Sequence, residues 1–187
     1  MSGRKARHIE HLGDYCLDLP GAFLRVERRF WPDDTSCLSI MKYGQRKSDG
    51  VITAWFQPQY TQVPWDLAEP FRLSLLGALA VGQSVIPGGP SCVAHLGDFP
   101  LDLPDCFLRL EREWKENGAC WLWITKYGPR PSDGLVTAWH PSQFCMIPWV
   151  LAGDFAAALP AAIERGDRAV IPERAPGRRR LLTNGVA

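Results

Sequence analysis

The chain lacks most of the marks by which a sequence declares its chemistry. No apolar run approaches the roughly 20 residues of a membrane-spanning helix. The opening segment Met-Ser-Gly-Arg-Lys-Ala-Arg-His has no apolar core of a secretory signal. Charge of one sign is not in excess either: 21 Lys+Arg against 20 Asp+Glu leave a net charge of +1, which argues against a general basic coat for nucleic acid. These absences predict a soluble, cytoplasmic protein without a membrane partner. Cys-x-x-Cys, His-Glu-x-x-His, Gly-x-Ser-x-Gly and a phosphate-binding Gly-x-x-x-x-Gly-Lys are all missing, so neither a metal, a cofactor nor an activated nucleophile is expected. What is present is a globular composition with 46% hydrophobic residues and eight Trp, enough for a core.

Self-similarity organises the chain. HLGDYCLDLPGAFLRVERRFW from His11 returns as HLGDFPLDLPDCFLRLEREWK from His95, a shift of about 84 residues, with roughly half of the aligned positions identical. Tyr43-Gly44, Ser48-Asp49-Gly50, Thr53-Ala54-Trp55 and Pro64-Trp65 return as Tyr127-Gly128, Ser132-Asp133-Gly134, Thr137-Ala138-Trp139 and Pro148-Trp149. The chain divides into a basic arm (1–10), copy one (11–87), copy two (88–172) and a basic flexible tail (173–187).

Within a copy, Leu17-Asp18-Leu19-Pro20 reads as a short edge strand. Phe23 to Phe30 alternates, with Leu24, Val26 and Phe30 on one side and Arg25, Glu27 and Arg29 on the other, the period of a half-buried strand. Asp33-Asp34, and Asn117-Gly118 in copy two, predict a hairpin turn. Cys37 to Tyr43 then puts Leu38 and Ile40 inward and Ser39, Met41 and Tyr43 outward. After a turn at Ser48-Asp49-Gly50 comes a strand from Val51 to Phe56 and a loop. The period then changes to four: Leu67, Phe71, Leu75 and Leu79, and Leu151, Phe155, Leu159 and Ile163, make one apolar helix stripe per copy. Pro64 and Pro148 suit helix starts, Gly82 and Gly166 helix ends, and Pro160 predicts a kink or a late start. The fold class is therefore α+β, with about four antiparallel strands and a helix used twice and packed with pseudo-two-fold symmetry. This order and unit length resemble the ββββα repeats of the PUR and PC4/Whirly-like proteins. Those pair two repeats about a two-fold axis and bind single-stranded nucleic acid on curved sheets. The resemblance is one of architecture and implies no particular site residue here.

Six cysteines invite a disulfide or metal reading, but none occupies the same place in both copies, so reduced structural thiols are expected. An inter-copy bridge or a lone reactive thiol is the alternative. His11 and His95 each stand in His-Leu-Gly-Asp. The pattern fits a polar turn capped by Asp14 or Asp98, and less well an acid–base pair. Arg25/Arg109, Glu27/Glu111, Arg28/Arg112, Lys42/Lys126, Arg46/Arg130 and Asp49/Asp133 are retained in both copies, as cross-strand pairing or as a surface. On the sheet face opposite the helix, copy two would place Trp121, Trp123 and Tyr127, with Arg109 and Thr125 nearby and Trp139 joining them. Arg25, Tyr43 and Trp55 are the copy-one counterparts. Exposed Trp on a strand calls for a cover: the other copy, a second chain or a ligand.

Charge position bears on which cover. Residues 11–87 carry seven basic and eight acidic side chains, and residues 88–172 seven and ten. The excess positive charge lies in Arg4, Lys5 and Arg7 and in tail residues Arg174, Arg178, Arg179 and Arg180. Acidic sheets are poor phosphate trackers. The sequence thus points first to a non-enzymatic adaptor, inhibitor or regulatory protein that shows an aromatic–arginine sheet to a protein partner or to itself in a homodimer. A single-stranded nucleic-acid binder aided by the tail comes second, and an enzyme using the His-Leu-Gly-Asp turn third.

Overall fold

A computed structural model of the chain describes residues 5–17, 19, 21–46, 48–54, 59–89, 91–139 and 143–170. Copy one consists of β1 (His8–Cys16), β2 (Phe23–Phe30), β3 (Ser36–Gln45), β4 (Ile52–Ala54), β5 (Tyr60–Pro64), a 3₁₀ turn (Trp65–Leu67) and α1 (Ala68–Ser84). Copy two repeats it as β6 (Cys92–Pro100), β7 (Phe107–Trp114), β8 (Cys120–Pro129), β9 (Val136–Ala138), β10 (Phe144–Pro148) and α2 (Trp149–Asp167). Each sheet is antiparallel, with β1, β2 and β3 (or β6, β7 and β8) side by side. The far edge of β3 pairs with both β4 and β5, and that of β8 with both β9 and β10. The α+β two-copy arrangement holds, and the alternation, both hairpin turns and the helix stripes lie where the sequence puts them. Asp34 and Gly118 take the positive φ of 63° and 80° that such tight turns require.

Three features differ from the sequence expectation. The first strand is His8–Cys16, so the His-Leu-Gly-Asp segments lie inside strands and three residues of the basic arm belong to β1. Of the edge strand expected at Leu17–Pro20, Leu17 and Leu19 lie in no strand, and Asp18 and Pro20 are outside the described residues. Extra residues there are absorbed by a bulge between His11 and Gly13, and between His95 and Gly97. Each sheet also has a fifth strand, β5 or β10, in the stretch between the expected loop and the helix, where the sequence predicts no strand. Finally, α2 runs unbroken through Pro160, whose ring lies on its exposed face, so there is no late start. Lys47, Trp55–Pro58, His140 and the tail, with Arg174 and Arg178–Arg180, lie outside the described residues.

The helices are shared between the copies. α1 and α2 pack against each other, α1 reaches β6 and β7 of the second sheet, and α2 reaches β1 and β2 of the first. Phe71 of α1 meets Phe99 of β6 edge-on at 5.4 Å, and Phe155 of α2 meets Tyr15 of β1 in the same way at 5.4 Å. Leu24, Leu38, Ile40, Phe71, Leu75, Leu108, Leu122, Ile124 and Leu159 are fully buried in one core drawn from both copies. Each such side chain contributes about 1.5–3 kcal/mol of burial.

A cationic clamp repeats at both ends of this exchange. Arg28 stacks on Trp65 (4.2 Å) and donates from Nη1 to the Gly166 carbonyl of α2 at 2.7 Å. Arg112 stacks on Trp149 (4.1 Å) and donates to the Gly82 carbonyl of α1 at 2.6 Å. These carbonyls, at each helix C-terminus, already accept a turn bond from Val85 or Ala169 N–H and thus gain a second, charged donor from the opposite copy. Among the described residues, no helix is long and apolar enough to cross a membrane.

Candidate binding surface

Strand register builds the outward face of each sheet. In sheet two, Phe107 pairs with Tyr127, Arg109 with Thr125, Glu111 with Trp123 and Glu113 with Trp121. β10 adds Phe144 beside Thr125, Met146 beside Trp123 and Pro148 beside Trp121. Period two sends all of these to the face away from the core. Trp121, Trp123 and Tyr127 with Arg109 therefore do share one face, as do Arg25 and Tyr43 in sheet one. Trp139 does not join them. Ala138 pairs with Tyr127, so Trp139 falls on the Lys126 side, its ring 4.4 Å from the ammonium and against Gly128. Trp55, its counterpart, is outside the described residues.

One half of the face is the same in both copies. Arg25 donates from Nε and Nη2 to the two carboxylate oxygens of Asp14 at 2.8 and 2.9 Å, and its plane covers Tyr43 at 4.7 Å. Phe23 and Tyr43 stack with centroids 5.5 Å apart. His11 Nε2 lies 3.0 Å from Asp14 Oδ1. Arg109, Asp98, Tyr127, Phe107 and His95 repeat the arrangement. The bulge makes the grouping possible, because it turns Asp14 and Asp98 toward arginines on the neighbouring strand. The arginine is thus positioned between a carboxylate and aromatic rings, and its charge is matched.

The arginine bond, helped by the histidine, holds Asp14 and Asp98 below their ordinary value of 3.8 against a partial desolvation that acts the other way. A depressed folded pKa contributes stability that is fully present above about pH 5 and lost as pH falls through the folded value. Replacing both residues, Asp14→Asn with Asp98→Asn, is therefore expected to lower the urea midpoint at pH 6 and flatten its decline between pH 5 and 2.5. An unchanged acid slope in the double variant would count against this linkage.

The other half differs between the copies. Trp121 and Trp123 stand where copy one has Cys37 and Ser39, and Met146 where it has Gln62. Trp123 stacks on Phe144 at 5.2 Å and donates from Nε1 to Glu113 at 2.7 Å. Lys115 pairs with the same carboxylate at 3.6 Å. Both Trp side chains are only half-buried, and Val150, at the start of α2, is 75% exposed. In copy one, Glu27 is buried and bound twice by Arg29, and Ser39 is fully buried.

Of the remaining retained pairs, two are engaged within the fold and one is partly buried. Arg28 and Arg112 form the clamps, and Arg46 and Arg130 donate to Asp49 and Asp133 within their turns at 2.9 and 3.1 Å. Lys42 and Lys126 point to the inner side, where burial pulls both ammonium pKa values down. All six thiols are free: Cys37, Cys106 and Cys145 are buried, and burial pushes Cys37 up to about 11. Among the described residues no three His, Cys, Asp or Glu side chains converge as metal ligands. His11 and His95 are each 54% exposed on open strand surface.

Sequence reasoning missed Phe144, Met146 and Glu113 on this face, and the Asp–Arg pairing. Phe144 and Met146 alternate with buried Cys145 and Ile147, a period-two signal hidden by its brevity and by Pro148. No protein-family model matches the chain, and no curated protein matches it in sequence.

Proposed function

We propose that the protein is a non-enzymatic adaptor, inhibitor or regulatory protein that docks a protein partner on the outward face of the second sheet. The comparison of the two copies carries this reading. Copy one forms the same strand register with Cys37, Ser39 and Gln62, so the fold does not need Trp121, Trp123 and Met146. Half-exposed Trp beside Met, with an acidic side chain holding the indole, has the makeup of an interface anchor. The charge favours protein over nucleic acid. Arg109 is matched by Asp98 and Lys115 by Glu113, so among the described residues this face offers a phosphate backbone no uncommitted cation.

The test is to give copy two the small side chains of copy one, as Trp121→Ser with Trp123→Ser. The variant is expected to keep its far-UV circular dichroism and unfold within about 1 kcal/mol of the parent, as surface changes do. Partner recovery by cross-linking in cells, and any self-association seen by sedimentation, should fall about 30-fold, the size expected of one anchor worth ~2 kcal/mol. Unchanged recovery with an intact fold would remove the site.

A further inference from the structure

A second divergence between the copies lies at their junction. A cleft of about 650 Å³, within the usual range for small-molecule sites, opens between the start of β3, the Pro64–Asp66 corner and the Leu101–Leu103 segment of copy two. Its walls are Trp31, Pro64, Trp65, Leu101 and Leu103, and Lys126 reaches it from β8. Hydroxyl, amide and carboxylate groups come from Thr35, Ser36, Gln62 and Asp66. The counterparts of these four are Ala119, Cys120, Met146 and Val150, all without such groups, and the counterpart of Cys37 in the lining is the bulky Trp121. β3 and β5 keep the register of β8 and β10, so neither the polar lining nor the space at Cys37 is required for that pairing.

We propose that this cleft binds a small organic monoanion, a carboxylate on a flat apolar body, with Lys126 as its charged anchor. Some donors of the cleft are engaged within the protein and others remain for a ligand. Arg28 is spent on Ser36 Oγ, the Gly166 carbonyl and two rings. Ser36 Oγ accepts from Arg28 at 3.1 and 3.2 Å, which leaves its own O–H to donate. Thr35 instead gives its hydroxyl proton to Asp33 at 2.7 Å. Among the described residues Lys126 Nζ has no carboxylate partner and the Gln62 side-chain amide makes no hydrogen bond; Nζ lies 4.4 Å from the Trp139 ring, with the Cys37 and Cys106 thiols near it. A half-buried ammonium, a hydroxyl and an amide thus suit one carboxylate, with the indole and leucine walls for its apolar body. Asp66 and Asp102, both exposed and lining the same cleft, oppose each further negative charge, which favours a monoanion over polyphosphates and nucleic acid.

Indole-3-acetate and its uncharged isostere indole-3-acetamide are the probes. Titration into the ¹⁵N-labelled full chain, followed at the indole N–H resonances of Trp31 and Trp65, should show saturable shifts for the acid. The amide should bind at least about tenfold more weakly, the loss of one charge-assisted contact. Lys126→Met should abolish the difference between acid and amide, and Cys37→Trp should remove binding of both. Absence of saturable binding, or equal affinity for acid and amide in the parent protein, overturns the proposal whatever the variants do. Because the sheet-two tryptophans are not involved, Trp121→Ser with Trp123→Ser should leave these titrations unchanged, and loss of binding there would also overturn it.

Discussion

Phe71→Ala is expected to destabilise the protein by about 3–5 kcal/mol, the usual cost of emptying a buried Phe site. Phe71 is fully buried, sits on α1 of copy one and closes edge-on over Phe99 of copy two. The resulting hole would lie between the copies, flanked by a helix and a strand that are each fixed by other contacts, so it can collapse only in part. Against a typical total of 5–15 kcal/mol this is a large fraction. The continuous core further predicts that both copies unfold together. Urea unfolding followed by circular dichroism and by Trp fluorescence should give one coincident transition in parent and variant, moved to lower urea in the variant. A loss under about 1 kcal/mol, or two separated transitions, would mean that the copies do not share a core in the way the Phe71–Phe99 contact implies.

That contact was not legible in the sequence, although both partners were. Period two in Phe23–Phe30 and period four through Phe71, Leu75 and Leu79 name the buried apolar side chains correctly, though not buried Glu27 on the other side of β2, because local periodicity reports which side faces a core. It does not report whose core. The exchange of helices between copies depends on contacts far apart in the chain, and Tyr15–Phe155 and Phe71–Phe99 leave no local trace. The bulge inside His-Leu-Gly-Asp was hidden for a related reason. Gly and Asp ordinarily signal a turn, but in β1 and β6 the extra residue, Leu12 or Leu96, stands unpaired as a bulge in the strand itself, and the result, an Asp–Arg pair, is across strands. Five-residue β5 and β10 were lost between a loop and a proline. Half of the candidate face survived these errors because it lies on β7 and β8, where the alternation is long enough to fix the side of each residue. Trp139 departs from the expected face because it stands past the end of a three-residue strand, where alternation no longer fixes its side.

Internal duplication then supplies a control that a single domain lacks. Where the copies agree, as at Arg28/Arg112 or Asp14/Asp98, the structure supplies a shared reason in the fold: a clamp on a helix end, or an ion pair across a bulge. Where they part, as at Cys37/Trp121, Ser39/Trp123 and Gln62/Met146, the backbone is indifferent to the side chain. The differences fall at related positions around the β3–β5 and β8–β10 pairs, and they run in opposite senses. Copy two becomes aromatic and apolar on an open face, while copy one becomes small and polar beside a cleft. A protein-docking face on one copy and a small-anion cleft at the other accommodate both trends.

The clamps make the second large prediction, in which chemically identical substitutions have opposite signs. Gly77 and Gly82 lie in the same helix, and an alanine in a helix interior is ordinarily better than glycine by about 1 kcal/mol. At exposed Gly77 an added Cβ meets nothing within 4 Å, so Gly77→Ala should raise stability by roughly 0.5–1 kcal/mol. At Gly82 the added Cβ would run into the Trp149 indole and come within 3.2 Å of Leu96 Cδ1. The indole cannot retreat easily, because Arg112 lies on it at 4.1 Å and is itself bound to the Gly82 carbonyl. Gly166 meets the Trp65 indole in the same way, with Arg28 behind it. These glycines therefore serve a close approach between copies, not the helix endings that their position in the sequence suggests. Overpacking of this kind costs about 1–3 kcal/mol per site, and the two sites are remote enough to add. Gly82→Ala with Gly166→Ala should accordingly lose about 2–6 kcal/mol by urea unfolding, against the gain at Gly77. If the double variant matched the parent or exceeded it, the indoles would be free to move and the clamp would not be what joins each sheet to the other copy's helix.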